Sequence, residues 1–223
     1  MNLFDIIGPV MVGPSSSHTA GAVRIGYVAR LLLGEPVKKA DICLHGSFQA
    51  TGRGHGTDRA LVAGLLGMQT DDERIPVSLQ VAEHEGMEVD FWAVELGDVH
   101  PNSVKLLLTG SHGKRLELVA ASLGGGRIRV CELNGLTANF GGEYPTLIVN
   151  NQDKPGIVNE VTAALAQENI NIAAMQLYRS KRGSSAVMIL ECDGEIPKEA
   201  LGRLRGLPGI LDVAYLSLKE SEE

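Results

Sequence analysis

The stretch Gly13-Pro14-Ser15-Ser16-Ser17-His18-Thr19-Ala20-Gly21 sets three consecutive serine hydroxyls, an imidazole and a threonine hydroxyl between two glycines. It stands directly ahead of an apolar-periodic run, Ala22 to Leu33, that reads as a helix. Ser or Thr at such a boundary accepts from backbone N–H groups that have no partner in the first helical turn. Those N–H groups and the positive end of the helix dipole also make the position a ready anion site. Two readings stand side by side. One is a Ser-rich helix cap with a solvent-exposed His. The other is a pocket in which Ser15, Ser16, Ser17, His18 and Thr19 surround a carboxylate or phosphate.

A second Gly-rich segment repeats the arrangement. Gly46-Ser47-Phe48-Gln49-Ala50-Thr51-Gly52-Arg53-Gly54-His55-Gly56-Thr57-Asp58 reads as a loop feeding the apolar run Ala60 to Leu66. Glycines let backbone approach a ligand closely, and a His between two of them is poorly suited to a core. Imidazole titrates near neutral pH, so His55 is a candidate acid or base. His100 precedes Pro101 at an element boundary, where structural and chemical uses both fit. His84 and His112 read as exposed turn residues. Gly124-Gly125-Gly126 is either a wide hairpin turn or a backbone wall against a ligand.

The elements around these segments read as strands over 37–45, 77–81, 87–94, 104–108, 115–121 and 127–133, with Phe91 and Trp92 expected in the core. After a Gly pair and a Pro in Gly141-Gly142-Glu143-Tyr144-Pro145, the pattern changes. All six His residues lie before Tyr144. The remainder reads strand 144–150, helix 157–169, strand 171–177, strand 186–192, helix 197–204 and strand 210–218. That βαββαβ order is a ferredoxin-like unit. The expected architecture is therefore α+β: a mixed α/β domain with Gly-rich loops over 1–143 and a ferredoxin-like domain over 144–223.

Composition narrows the partners. A net charge of −7 without a basic cluster argues against nucleic acid. No apolar run approaches the roughly 20 residues that span a bilayer. The first residues lack a basic n-region, so no signal peptide is expected. Cys43, Cys131 and Cys192 lie far apart without metal-ligand spacing, which suggests reduced thiols and a cytoplasmic setting.

Two resemblances add to this reading. The βαββαβ order together with Asp153-Lys154-Pro155-Gly156-Ile157-Val158 resembles an ACT domain. That family binds free amino acids at this loop against a neighbouring copy, which implies self-association and effector contacts at Asn150, Asn151, Asp153 and Gly156. Asp153 could equally cap the following helix. The ordered set formed by Gly13 to Thr19, Gly46-Ser47, Thr51 to Asp58 and Gly124-Gly125-Gly126 resembles the β chain of the iron–sulfur-dependent L-serine dehydratases. Many relatives carry a second His where this chain has Gly56, so no role for that residue carries over.

The resemblance implies β-elimination of water from L-serine, yielding pyruvate and ammonia. It implies a [4Fe–4S] cluster on cysteines of a partner α chain, whose open iron would act as a Lewis acid. His55 and His100 would be acid and base, with Thr57 and Asp58 orienting His55. Ser15 to Thr19 would hold the substrate carboxylate. Potassium is a candidate ligand of the ACT unit. The N-terminal part also resembles the allosteric substrate-binding domain found beside ACT units in some phosphoglycerate dehydrogenases, so a regulatory anion- or serine-binding module is the alternative. A metallohydrolase using His18, His55 and His100 lacks a clustered signature. A serine hydrolase is disfavoured because Ser17 and His18 are sequence neighbours, which makes a hydrogen bond between them awkward.

Overall fold

The computed structural model describes residues 10–179 and 181–217, with Arg53 described by its backbone alone. The chain divides into two units, Met1–Gly135 and Leu136–Glu223, a division that falls ahead of the Gly141-Gly142 punctuation.

The first unit starts with a π-helical turn, Ser16–Ala20, that runs straight into α1 (Gly21–Leu33). Ala22, Val23, Ile25, Val28, Ala29, Leu32 and Leu33 of α1 are buried. Gly34, at φ 75°, ends the helix by donating its N–H to the Arg30 carbonyl. Strand β1 (Val37–Leu44) leads to α2 (Gly46–His55), α3 (Thr57–Leu65) and α4 (Ser78–His84). Strands β2 (Glu88–Ala93), β3 (Ser103–Gly110), β4 (Arg115–Gly124) and β5 (Arg127–Leu133) complete the unit. In the sheet the strands lie in the order β2-β1-β3-β4-β5. β1 and β2 pair parallel and the remaining pairs are antiparallel. Helix α1 packs on β3, β4 and β5, and α3 packs on α1.

The α1–α3 crossing is close because each helix presents a glycine to the other. A Cβ on Gly26 would stand 2.2 Å from the Leu61 carbonyl oxygen, and one on Gly64 would stand 2.0 Å from the Val23 carbonyl oxygen. This contact sets the spacing of the two segments that open the helices, since α1 follows His18 and α3 follows His55.

Three local expectations are corrected. The Gly-rich stretch after residue 45 is helix α2 and not a loop. Phe48, fully buried, anchors it, and the Thr51 hydroxyl donates back one turn to the Ser47 carbonyl. Only Gly56, at φ 71°, breaks the path between α2 and α3. Residues 77–81 are not a strand, because a 3-10 turn over Ile75–Val77 opens into α4. The Ser78 hydroxyl fixes that start by donating to the Arg59 carbonyl at 2.7 Å. Phe91 and Trp92 are not core residues: β2 is the sheet's edge strand, and they are 37% and 58% exposed. Together with Leu44, Gln49, Ala50 and Leu79 they line a cavity of about 580 Å³.

The second unit opens with β6 (Leu136–Phe140), a strand that no pattern announced. Then come β7 (Thr146–Gln152), α5 (Ile157–Gln167), β8 (Ile172–Arg179), β9 (Ser185–Cys192), α6 (Lys198–Arg205) and β10 (Ile210–Leu216). The sheet order β10-β7-β9-β8 with antiparallel pairing is the ferredoxin-like arrangement expected of an ACT unit. Its core joins Leu147, Val149 and Met188 of the sheet to Val161, Leu165 and Leu204 of the helices. Among the described residues no helix is long and apolar enough to cross a membrane.

Candidate active site

The π-helical turn decides what the Ser-rich segment offers. Ser15 caps it twice: its hydroxyl accepts from the His18 N–H at 3.1 Å, and its carbonyl accepts from the Thr19 N–H at 2.9 Å. Among the described residues, the N–H groups of Ser16 and Ser17 have no protein partner. The cap reading holds for Ser15. The cap absorbs part of the turn's donors and leaves those of Ser16 and Ser17 without a partner among the described residues.

His18 is the centre of a hydroxyl cluster. Its Nδ1 lies 3.1 Å from the Ser17 Oγ, and its Nε2 lies 3.0 Å from the Ser47 Oγ and 3.1 Å from the Thr51 Oγ1. The hydrogen bond between neighbours Ser17 and His18, expected to be awkward, is made. Nδ1 is the ring nitrogen nearest the backbone and reaches the preceding side chain. The ring meets Phe48 edge-on at 5.4 Å between centroids and His55 at 5.0 Å. Burial, reinforced by repulsion from His55, lowers the His18 pKa against a weaker opposing pull from the Ser47 carbonyl. Both lowering effects favour the neutral imidazole of His18.

His55 ends α2 on the exposed rim of this cluster. Its carbonyl accepts from the Thr19 hydroxyl at 3.3 Å, which ties the first segment to the second. Its ring contacts His18, and no described side chain hydrogen-bonds to its nitrogens. His100 is exposed, and its Nδ1 accepts from the Asn102 N–H at 3.1 Å. It reaches the same region through its neighbour: the Pro101 carbonyl accepts from the Ser47 N–H at 2.7 Å. No ring contact or hydrogen bond joins it to His18 or His55 among the described residues.

Among the described residues no hydrogen bond joins Thr57 or Asp58 to the His55 ring. Thr57 is fully buried with its hydroxyl unpartnered, and Asp58 Oδ1 accepts from the next residue's N–H at 2.9 Å. The Gly triplet takes the hairpin-turn reading. Gly125 and Gly126, at φ 61° and 75°, make the β4–β5 hairpin turn. The Gly125 N–H also donates to the Ser16 hydroxyl at 3.4 Å, so the hairpin flanks the cluster.

In the second unit Gly156, at φ 93°, is the residue before α5. Asp153 does not cap that helix. It accepts from the Gly183 N–H at 2.8 Å and from Arg179 at 3.1 Å, and these contacts hold its carboxyl below the usual range. Asn150 lies half-buried on β7, while Asn151 is buried and donates to the Gln152 carbonyl at 2.7 Å. The Asn151 Oδ1 is buried without a partner.

Comparison with known proteins decides the family. The family model described as serine dehydratase beta chain matches residues 2–84, and the ACT domain model matches residues 146–209. A Bacillus subtilis (strain 168) protein named "Probable L-serine dehydratase, beta chain" is 43% identical over 97% of this chain and 98% of its own. The "L-serine dehydratase, beta chain" of Peptoniphilus asaccharolyticus is 35% identical over 96% and 97%. The chain belongs to the L-serine dehydratase beta-chain family. A D-3-phosphoglycerate dehydrogenase of Archaeoglobus fulgidus is 30% identical over 88% of this beta chain and 37% of its own length.

An iron–sulfur cluster does not fit the residues of this beta chain. Cys43, Cys131 and Cys192 stand on three separate strands, β1, β5 and β9, and burial raises each thiol above its usual value. Among the described residues no group of three or more His, Cys, Asp or Glu side chains converges as a metal site. Two members of the cluster went unassigned in the sequence reading. Ser47 and Thr51 are one helical turn apart, so both face the same side of α2. That spacing is legible only once the stretch is known to be a helix.

Proposed function

We propose that this chain is the β subunit of an iron–sulfur-dependent L-serine dehydratase, completing a site shared with a cluster-bearing α chain. The observation that carries the reading is the near full-length identity to two named beta chains, combined with a hydroxyl cluster built around His18 and bordered by His55. The reaction is the elimination of water from L-serine to aminoacrylate, which hydrolyses to pyruvate and ammonia. The [4Fe–4S] cluster belongs to the partner chain in this reading, and potassium is a candidate ligand of the ACT unit.

The N–H groups of Ser16 and Ser17, unpartnered among the described residues, and the nearby hydroxyls suit the substrate carboxylate. His55, on the rim with neither ring nitrogen hydrogen-bonded among the described residues, is suited to take the α-proton or to return one to the leaving hydroxyl. His100 is the second acid–base candidate. Asn150, Asn151, Asp153 and Gly156 are read as the effector loop, where a free amino acid would bind as the ACT units associate. A cytoplasmic setting accords with reduced cysteines.

The test is co-expression with an iron–sulfur α chain under anaerobic conditions, with pyruvate formation from L-serine assayed for each chain alone and for both together. Activity is expected only in the mixture. His55→Ala is expected to fold, to co-purify with the α chain and to lose nearly all turnover. Wild-type turnover in that variant would remove His55 from the mechanism. The similarity to D-3-phosphoglycerate dehydrogenase favours a second reading, a regulatory module that binds serine or another small anion without chemistry. Serine binding by this chain alone, with no association and no activity in the mixture, would put that reading first.

A further inference from the structure

The hydrogen bonds around His18 form a chain whose direction can be derived atom by atom. A carbonyl oxygen only accepts, so the 2.9 Å contact from Thr51 Oγ1 to the Ser47 carbonyl uses the single proton of the Thr51 hydroxyl. Thr51 Oγ1 can then meet His18 Nε2, 3.1 Å away, only as an acceptor. Nε2 must carry the hydrogen. A neutral imidazole with N–H at Nε2 has a bare Nδ1, and the Ser17 hydroxyl 3.1 Å away donates to it. Ser17 Oγ, its own proton committed inward, accepts from the Ser15 hydroxyl at 3.3 Å. Ser15 Oγ in turn accepts from the His18 N–H.

We propose that Thr51 is a positioning residue that fixes His18 as the Nε2–H tautomer and thereby turns the protons of Ser15 and Ser17 inward, leaving Ser16 and Ser47 as the hydroxyl donors of the site. Ser47 Oγ lies 3.0 Å from Nε2 and can share that hydrogen as a second acceptor, which leaves its own proton free. Thr19 is excluded as a donor because its hydroxyl is committed to the His55 carbonyl. An anionic group entering the cluster therefore meets donors at Ser16, Ser47 and the turn's N–H groups that have no partner among the described residues. A group that itself donates, such as an ammonium or hydroxyl, meets the acceptor face of Ser17. His55 is the titratable group that bears on the ring, and its repulsion favours the neutral form that the chain requires. The tautomer concerns this chain's own atoms; only its bearing on L-serine rests on the function proposed above.

The experiment is long-range proton–nitrogen correlation of the imidazoles in the nitrogen-15-labelled full chain, with His18 assigned by the loss of its signals in His18→Asn. Wild type is expected to show a pyrrole-type Nε2 and a pyridine-type Nδ1 at pH 8. Thr51→Ser, which keeps the hydroxyl, is expected to keep that pattern, and so is Ser47→Ala. Thr51→Val is expected to lose it for an averaged or reversed one. A wild-type His18 protonated at Nδ1 overturns the proposal even where Thr51→Val does not fold. An unchanged pattern in folded Thr51→Val, or its loss in Ser47→Ala but not in Thr51→Val, overturns the role of Thr51. Catalytic assays do not enter these outcomes, so they stand or fall apart from the enzymatic reading.

Discussion

Replacing Gly26 by alanine tests whether the glycine contact between α1 and α3 sets the geometry of the site. On an unhindered helix the exchange is favourable by about 1 kcal/mol, because alanine loses less backbone freedom on folding. At Gly26 the new Cβ meets the Leu61 carbonyl oxygen at 2.2 Å, the Leu65 nitrogen at 2.9 Å and the Gly64 carbonyl carbon at 3.1 Å. All three are backbone atoms and cannot rotate aside. Ordinary contact requires the helices to part by roughly 1 Å, which opens the packing of neighbouring apolar side chains. Overpacking costs about 1–3 kcal/mol, and a backbone obstacle sets this case at the upper end. After the helix preference is subtracted, a net loss of about 1–2 kcal/mol remains. Urea unfolding followed by circular dichroism, with Trp92 fluorescence as a probe confined to the first unit, should show a midpoint lower by roughly 0.5–1 M. Gly202→Ala in α6, where nothing lies within 4 Å of the added Cβ, is the control and should unfold at the same or higher urea. The crossing also separates the segments bearing His18 and His55, so their 5.0 Å ring contact should weaken in Gly26→Ala. A variant as stable as wild type would refute the assignment of that crossing as rigid.

Two further outcomes follow from titratable groups. Burial pushes the Cys192 thiol up to about 11, so at pH 8 almost none of it is thiolate. Iodoacetamide at that pH should leave Cys192 unmodified in the folded chain and label it in urea; equal labelling in both would contradict its buried setting. Asp153 has a folded pKa below its unfolded one, chiefly through the Gly183 N–H and then Arg179. Its contribution is therefore present above about pH 4 and is lost as the pH falls through the lowered value. The difference in Tm between wild type and Asp153→Asn should narrow as the pH drops from 5 to 2, and a constant difference would mean the contacts do not stabilise the ionised carboxylate.

What was legible in the chain depended on whether a local pattern had one structural solution. The second unit did: the short apolar runs of β7 and β9, the apolar face of α5 and the Pro-Gly break before it admit a ferredoxin-like order and little else. The stretch from Gly46 to Asp58 did not. Its glycines argue for a loop by propensity, yet the burial of Phe48 and the Thr51 hydroxyl's bond to the Ser47 carbonyl accompany a helix. The error had a consequence for chemistry. On a loop, Ser47 and Thr51 have no fixed relation, and His18 remains a generic imidazole beside serines. On a helix they fall one turn apart, and together they settle which nitrogen of His18 bears hydrogen. Phe91 and Trp92 were misread for a related reason. Their apolarity is local, whereas their exposure follows from the position of β2 at the end of the sheet, a property of topology alone. Motifs thus mark the segments that meet in the hydroxyl cluster, and the proton inventory that distinguishes donor from acceptor needs the packing of α2.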